Sequence, residues 1–234
     1  MVSVALRKQS TFEHPAQNRE AVLARYHRLR EISRMHHTKA LDFLSKDAIL
    51  HQARRLGLAG GRTLCCDNME ELTLAFDLAI HTAPVGRSRA IDRFAGSVQF
   101  AAGADEALVL EAMRHARFAV VAVERRHPSV GLVVTELFRE AKHWLVDEGL
   151  EASAEQGTLF ATRYFAPDDF VMTAGVIVPV DTLLLTEAFA SVPPLLRKSP
   201  MEAIDDRRSA EAIYRTAIAD GIMDGVVYQD SGDA

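Results

Sequence analysis

The chain has 234 residues, of which 48% are hydrophobic and 25% are charged, the composition of an ordinary globular protein. Its two cysteines are too few for a disulfide framework, and no apolar run reaches the roughly 18 residues of a membrane-spanning helix. These totals argue against a disulfide-stapled secreted domain and against a helical membrane protein, so we expect a cytoplasmic protein with no membrane partner.

The net charge of −5 is unevenly distributed along the chain. Residues 1–100 hold 15 Lys and Arg against 10 Asp and Glu, a balance of +5, which leaves −10 for residues 101–234. A basic half is typical of a surface that meets nucleic acid or another anionic partner. The simpler interpretation is that the two halves of the chain attract each other, or that the excess charge forms a solvated face.

Helical periodicity dominates the first 116 residues. Asn18 is placed to cap a helix that runs to about Met35, and Thr38 and Ser45 are placed to cap two further helical pieces. The second piece runs from residue 46 to residue 56 and ends at Gly57, which readily adopts a left-handed C-cap. Three more helices are predicted at 68–83, 87–94 and 105–116, the first of them capped by Asp67.

Five apolar runs follow in residues 117–180, each bounded by turn residues. They lie at 118–124, 131–138, 142–147, 158–165 and 170–180, with no helical pattern between them. Short strands at this spacing are typical of a small antiparallel β-barrel or a strongly bent sheet. The aromatic residues here are interpreted as core rather than as a stacking surface for bases; they are Trp144, Phe160, Tyr164, Phe165 and Phe170.

Helices return after the strands. Asp181 is placed to cap a helix that ends at Ala190, and Ser199 with Glu202 forms a capping box for a last helix that runs to about Asp220. The order of helices, strands and helices predicts an α+β fold. We expect a helical domain at 16–116, the small antiparallel barrel at 117–180, and C-terminal helices at 181–220 that pack on the rest.

Motifs with a defined chemistry are lacking. The sequence has no glycine-rich nucleotide loop, no Walker A sequence, no serine-hydrolase elbow and no H-E-x-x-H zinc motif. Cys65 and Cys66 are adjacent, which cannot supply the C-x-x-C spacing of a zinc or thioredoxin site, and we interpret them as buried, inert residues. We therefore expect no cofactor and lean towards a protein that is not an enzyme.

The best metal-like group is Glu70, Asp77 and His81. Their spacings of seven and four residues place them along one helical face, and carboxylate and imidazole groups suit a divalent transition metal. A solvated helix face gives the same spacing, so the metal hypothesis competes with a plain surface interpretation.

Two basic segments are candidates for contacts with nucleic-acid phosphates. They comprise Arg25, Arg28, Arg30, Arg34 and Lys39 in the first helix, and Arg87, Arg89 and Arg93 near residue 90. Neither segment has the form of a helix-turn-helix, and acidic neighbours cancel part of the charge. The histidines of the same region are interpreted as ordinary surface residues; they are His27, His36, His37 and His51.

Several stretches resemble a bacterial family of uncharacterised proteins. They are 135–151, which contains Thr-Glu-Leu-Phe and Trp-Leu-Val-Asp-Glu-Gly-Leu-Glu, together with 157–163, 169–175, 72–77 and 90–94. The resemblance covers most of residues 25–190. It implies no activity and transfers no site residues.

These observations lead to three hypotheses of function. The leading one is a non-enzymatic binding or regulatory protein that recognises a protein or a nucleic acid. The second is a small metal-dependent enzyme whose carboxylate and histidine site is centred on Asp77 and His81. The third is a structural homodimer that uses an exposed apolar face at 183–189.

Overall fold

A computed structural model of the protein describes residues 18–60, 63–65 and 69–225. Helices and two antiparallel sheets make up this part of the chain, so the α+β class is confirmed. None of the described helices has both the length and the apolar character that a membrane crossing needs. The predicted cap Asp67 and the second cysteine, Cys66, lie outside the described residues.

The N-terminal part begins with α1 (Arg19–Leu41) and α2 (Lys46–Leu56). Asn18 caps α1 as predicted, because its side chain accepts from a backbone N–H of the first turn, and Gly57 ends α2 with a φ of 84°. The predicted cap at Thr38 is wrong: α1 continues past it, and the Thr38 hydroxyl donates to the Arg34 carbonyl within the helix. Next come β1 (Ala59–Gly60), β2 (Thr63–Leu64), α3 (Met69–His81), α4 (Ala90–Ser97) and α5 (Asp105–Arg114).

The five predicted strands all form, and they build one antiparallel sheet. Their bounds are β3 (Arg117–Arg126), β4 (Leu132–Glu136), β5 (Lys142–Leu145), β6 (Leu159–Phe165) and β7 (Met172–Pro179). The strand order across the sheet is β5-β4-β3-β6-β7. A short helix that the sequence analysis missed, α6 (Glu148–Ser153), separates β5 from β6; it is capped by the Asp147 side chain, which accepts from the N–H of Leu150.

The sheet bends until its two edges touch. The backbone N–H of Val146 donates to the carbonyl of Val171 over 3.0 Å, and the N–H of Val171 donates to the carbonyl of Trp144 over 2.8 Å. This contact is a single bridge between the β5 and β7 edges, so the sheet is not a closed barrel. The predicted barrel is therefore not confirmed, whereas a bent antiparallel sheet is what the strands form.

The C-terminal part contains α7 (Thr182–Ala190), α8 (Pro200–Ile204), α9 (Arg207–Ala219) and a 3₁₀ turn (Ile222–Gly225). Asp181 caps α7, and the predicted capping box of Ser199 and Glu202 is present at α8. The prediction of one continuous last helix is wrong. The chain breaks at Asp205, and the carboxylate of Asp206 then accepts from the N–H of Arg208 and starts α9 as a new helix.

Helices cover one face of the sheet. One core cluster joins Phe118 and Val120 of β3 to α2, α3, α7 and α9, and a second joins Phe165 of β6 to α1, α4 and α5. The first cluster draws buried residues from all three predicted parts of the chain. In β6, Arg163 lies between Ala161 and Phe165 on this same face, because alternate residues of a strand share a face. A charged side chain thus stands between two apolar clusters.

The burial of individual side chains tests three predictions, which concern the aromatic residues of the sheet, Cys65 and the apolar face at 183–189. The five aromatic residues of the sheet segment are all at most 7% exposed, which confirms that they are core. Cys65 is exposed, so its interpretation as buried is wrong; it directly follows the β1–β2 hairpin at the surface. The expected apolar face at 183–189 is also wrong, because Leu184, Leu185 and Ala188 are buried in the first core cluster and Leu183 is the one apolar residue of this stretch that is strongly exposed.

Ion pairs connect the basic half of the chain to the acidic half. Arg19 binds Glu151 over 2.7 Å, Arg25 binds Asp168 over 2.8 Å, and Arg55 binds Glu211. These ion pairs agree with attraction between the two halves, while Arg34, Lys39 and Arg87 are exposed as a solvated face would have them.

Candidate functional site

A cavity of about 460 Å³ opens where four parts of the fold meet. These are the end of α3 with the loop after it, the start of β3, the middle of β6 and the α8–α9 junction. Its lining is rich in basic side chains, and we call it the arginine cavity; the basic residues are His81, Arg87, Arg89, Arg117, Arg163 and Arg207.

Arg163 is the buried cation of the cavity. Its Nε and Nη2 donate to the two carboxylate oxygens of Asp77 in α3 over 2.7 and 3.0 Å, and the Tyr214 hydroxyl of α9 donates to the same carboxylate over 3.0 Å. The guanidinium also lies 5.8 Å from the ring centre of Phe118. Burial would lower the pKa of Arg163, but the charge and hydrogen bonds of Asp77 raise it above its usual value. Arg163 is thus a fixed, permanently charged group.

This arrangement leaves one nitrogen of Arg163 unused. Asp77 accepts from Nε and Nη2, and Nη1 has no hydrogen-bond partner among the described residues. An arginine that is held on one edge by a carboxylate and on its flat side by an aromatic ring is oriented before a ligand arrives.

Two histidines lie beside the arginine, of which His81 is buried and His37 is half-buried. The Nε2 atoms of His37 in α1 and His81 in α3 are 3.3 Å apart, and Nδ1 of His81 is buried with no partner among the described residues. Burial lowers the pKa of His37 to about 4. Burial, and next the positive charge of Arg163, hold the pKa of His81 well below its usual value. Both rings are therefore neutral at pH 7.

The histidine pair predicts a pH dependence of stability. A histidine whose folded pKa lies below its unfolded value of about 6.5 takes up its proton more readily when the chain unfolds. Its contribution to stability is complete above pH 6.5 and is lost as the pH falls towards 4. We expect the free energy of unfolding to fall by up to about 1.4 kcal/mol per pH unit for each histidine in this window.

Urea unfolding measured between pH 7.5 and 4.5 checks this expectation. The variant His81→Phe should show a shallower pH dependence than the wild type. His115→Phe is the control, because its side chain is 74% exposed and its replacement should leave the slope unchanged. Equal slopes for the wild type and His81→Phe would contradict the account of a buried, neutral histidine.

Three arginines at the mouth of the cavity lack acidic partners. Arg87, Arg117 and Arg207 are exposed, and among the described residues no carboxylate lies within 4 Å of their guanidinium nitrogens. Arginines without partners that converge on one cavity attract anions, and their planar groups suit carboxylate and phosphate oxygens.

The acidic side chains of the lining are already paired. Asp92 accepts from Arg89 over 2.7 Å and also lies near Arg114. At the α8–α9 junction, Asp206 binds Lys198 over 2.6 Å and Arg208 over 2.7 Å, and Asp205 binds Arg139. The carboxylates therefore do not cancel the charge of the three arginines at the mouth.

A second polar network holds the α8–α9 junction against the sheet. Arg139 contacts Asp205 on one side and Glu136 on the other, and Glu136 also accepts from Tyr164 and from His143, the latter over 2.8 Å. Burial would raise the pKa of Glu136, but these hydrogen bonds lower it to about 2. The network holds Asp205 at the cavity and pairs its carboxylate with Arg139.

Comparison with known proteins places the chain in a family. A family model matches residues 20–220, which is most of the chain. The chain belongs to DUF7986, a family of unknown function. No curated protein and no solved structure matched the chain. The resemblance to an uncharacterised family is confirmed and is wider than the predicted 25–190, while the bacterial source stays a prediction.

The residues predicted as a metal site are only partly brought together in this DUF7986 chain. Asp77 and His81 are buried in the same region, but Asp77 is bound by Arg163, and Glu70 is half-buried about two turns before Asp77 in α3. Among the described residues, no group of three His, Cys, Asp or Glu side chains is arranged to hold a metal ion. The surface interpretation of this helix face is wrong, since Asp77 and His81 are 5% and 4% exposed.

Most of the predicted nucleic-acid residues of α1 meet groups of the chain itself. Arg25 and Arg28 bind Asp105, Arg30 donates to the carbonyl of Thr173 over 2.6 Å, and Arg34 and Lys39 are exposed.

The three arginines of the basic segment near residue 90 have different surroundings. Arg93 donates to the carbonyls of Ser88 and Phe43, whereas Arg87 and Arg89 line the arginine cavity. Two of the eight predicted cations therefore belong to the candidate site.

The interpretation of the N-terminal histidines as surface residues is wrong for two of them. His36 is 4% exposed and its Nε2 lies 2.9 Å from the carbonyl of Glu106, and His37 contacts His81. His27 is exposed and pairs with Glu148.

Sequence reasoning missed Arg117, Arg163 and Arg207. One signal was available for Arg163, because it interrupts the apolar alternation of Ala161 and Phe165 in β6. No local signal was available for the other two, since only the fold brings the start of β3 to the α8–α9 junction.

Proposed function

We propose that this chain is a binding protein that takes an anionic ligand in the arginine cavity. The observation that carries the proposal is that Arg87, Arg117 and Arg207, which have no acidic partner among the described residues, line the same cavity as the fixed, buried Arg163. Buried charged pairs contribute little net stability compared with apolar packing, so an Arg163 that also lines a cavity favours a role in binding. The proposal retains the leading hypothesis of a binding protein and changes the ligand from a macromolecule to a small anion.

Alternative functions have less support. Three of the five cations of the basic stretch of α1 are engaged within the chain, two of them by carboxylates and Arg30 by a backbone carbonyl, which weakens the nucleic-acid hypothesis. The metal-dependent enzyme lacks a set of free ligands, because both oxygens of Asp77 are engaged by Arg163. A homodimer would need a surface other than 183–189. A cytoplasmic location is part of the proposal, as a small organic anion is abundant there.

The double variant Arg117→Ala/Arg207→Ala tests the proposal. Both residues are exposed at the mouth of the cavity, so their removal should leave the fold intact. We expect binding of any anion that the wild type binds to weaken about tenfold or more, because two charge-assisted contacts are lost. Isothermal titration calorimetry with phosphate, acetate and hexanoate at low salt measures this change.

Arg125→Ala is the matched control. Arg125 is exposed at the far end of the same strand as Arg117, roughly 25 Å away at the rise of a β-strand. Its removal should leave anion binding unchanged. Binding that is equally weak or equally strong in the wild type and in Arg117→Ala/Arg207→Ala would contradict the proposal.

A further inference from the structure

The arginine cavity is too large for a simple ion. Its volume of about 460 Å³ lies in the range of roughly 300 to 1,000 Å³ that is typical of sites for small organic ligands. A water molecule occupies about 30 Å³ of liquid, so an inorganic anion of a few atoms would fill only a small part of the space. The ligand therefore needs a body in addition to its charged group.

Five residues of the cavity lining are apolar, and we call this set the apolar wall. The residues of this wall come from four elements or their junctions and are Ala83, Ala116, Phe118, Ile204 and Ala210. Phe118 and Ile204 belong to the first core cluster and are held in place by it. An apolar wall in the same cavity as the fixed cation of Arg163 is complementary to a molecule that has a hydrocarbon part and an anionic part.

The acidic residues of the lining limit the charge of the ligand. Asp92, Asp205 and Asp206 line the same cavity as the arginines. Although each is paired, a ligand with several negative charges must place some of them near a carboxylate, and like charges at close range are unfavourable. A single anionic group can instead sit among Arg117, Arg163 and Arg207.

We infer that the ligand is an organic monoanion, of which a carboxylic acid with an apolar chain or ring is the simplest chemical class. This inference rests on the proposed anion site and adds the nature of the ligand body. The carboxylate pairs with the arginines, and the hydrocarbon part packs against the wall formed by Phe118, Ile204 and the alanines.

A chain-length series tests the inference. Affinities of acetate, butanoate, hexanoate and octanoate are measured by calorimetry on the full chain. Burial of one methylene contributes a factor of up to about four in affinity, so we expect a steady increase until the cavity is filled. Pyrophosphate, a small polyanion, is expected to bind more weakly than hexanoate.

Two variants locate the hydrocarbon part. Ala83→Phe adds bulk to the apolar wall from a half-buried loop position and should remove the dependence on chain length while acetate still binds. Ala116→Leu does the same from the position just before β3, and it replaces Ala83→Phe if circular dichroism shows that Ala83→Phe is unfolded.

The outcomes separate this inference from the proposed function. Rising affinity with chain length that Ala83→Phe or Ala116→Leu abolishes supports the inference. Equal affinity for acetate and hexanoate, or tighter binding of pyrophosphate, overturns the inference about the hydrocarbon part. The proposed anion site is still supported in that case if Arg117→Ala/Arg207→Ala weakens anion binding. An absence of binding by every anion overturns both.

Discussion

Replacing Arg163 with Met is expected to lower the free energy of unfolding by about 3–5 kcal/mol. The side chains of Arg163 and Asp77 are only 7% and 3% exposed, so the variant leaves a carboxylate in the core without its cation. The Tyr214 hydroxyl remains as a donor to Asp77, but one neutral hydrogen bond does not replace a bidentate charged pair.

Urea unfolding measures this loss of stability, and two further variants show whether it comes from the buried charge that is left unpaired. The double variant Arg163→Met/Asp77→Leu should recover at least half of the stability, because it removes both charges and leaves only the Tyr214 hydroxyl without its acceptor. Arg55→Met breaks the pair with Glu211, whose side chains are 35% and 14% exposed, and should cost only about 1 kcal/mol. If Arg163→Met costs no more than Arg55→Met, the pair is not the buried anchor described above.

Gly131→Ala is expected to destabilise the protein by about 3 kcal/mol or more. Gly131 precedes β4 and has a φ of 77°, and a Cβ atom there would lie 2.2 Å from the carbonyl oxygen of Leu145. Backbone atoms of β5 must move to admit the methyl group, so overlap with a strand adds to the strain of the left-handed conformation. The change would also disturb the edge contact between β5 and β7.

Gly157→Ala separates the two causes. Gly157 has a φ of 88°, but no atom lies within 4 Å of the place that a Cβ would take, so this variant tests conformational strain alone. We expect a cost of about 1–2 kcal/mol from urea unfolding. Similar costs for the two alanine variants would show that Gly131 has no close approach to β5.

Local chemistry made much of the fold predictable. The Asn18 and Asp181 caps, the Gly57 stop and the capping box of Ser199 depend on residues within four positions of each other, and the structure has all of them. Strand positions were equally readable, because turn residues bound each apolar run. Whether the sheet closes into a barrel could not be predicted from the sequence, because closure depends on the pairing of the two sheet edges rather than on any one strand.

The site was less predictable because its bonds are long-range. Asp77 and His81 were singled out, yet Asp77 meets Arg163 across 86 positions and His81 meets His37 across 44. Helical spacing places Asp77 and His81 on one helical face, but spacing cannot tell which partners the fold brings to them. The arginines of the mouth come from separate elements, so no window of sequence contains them.

A crystal structure with 4-bromobenzoate tests whether the arginine cavity binds an organic monoanion. This compound carries one carboxylate on an apolar ring, and anomalous scattering from its bromine locates it without ambiguity. We expect a bromine peak inside the arginine cavity, with the carboxylate in contact with at least one of Arg117, Arg163 and Arg207, and no such peak in Arg117→Ala/Arg207→Ala. A cavity that stays without a bromine peak at saturating ligand, or one that fills equally in the double variant, would contradict it.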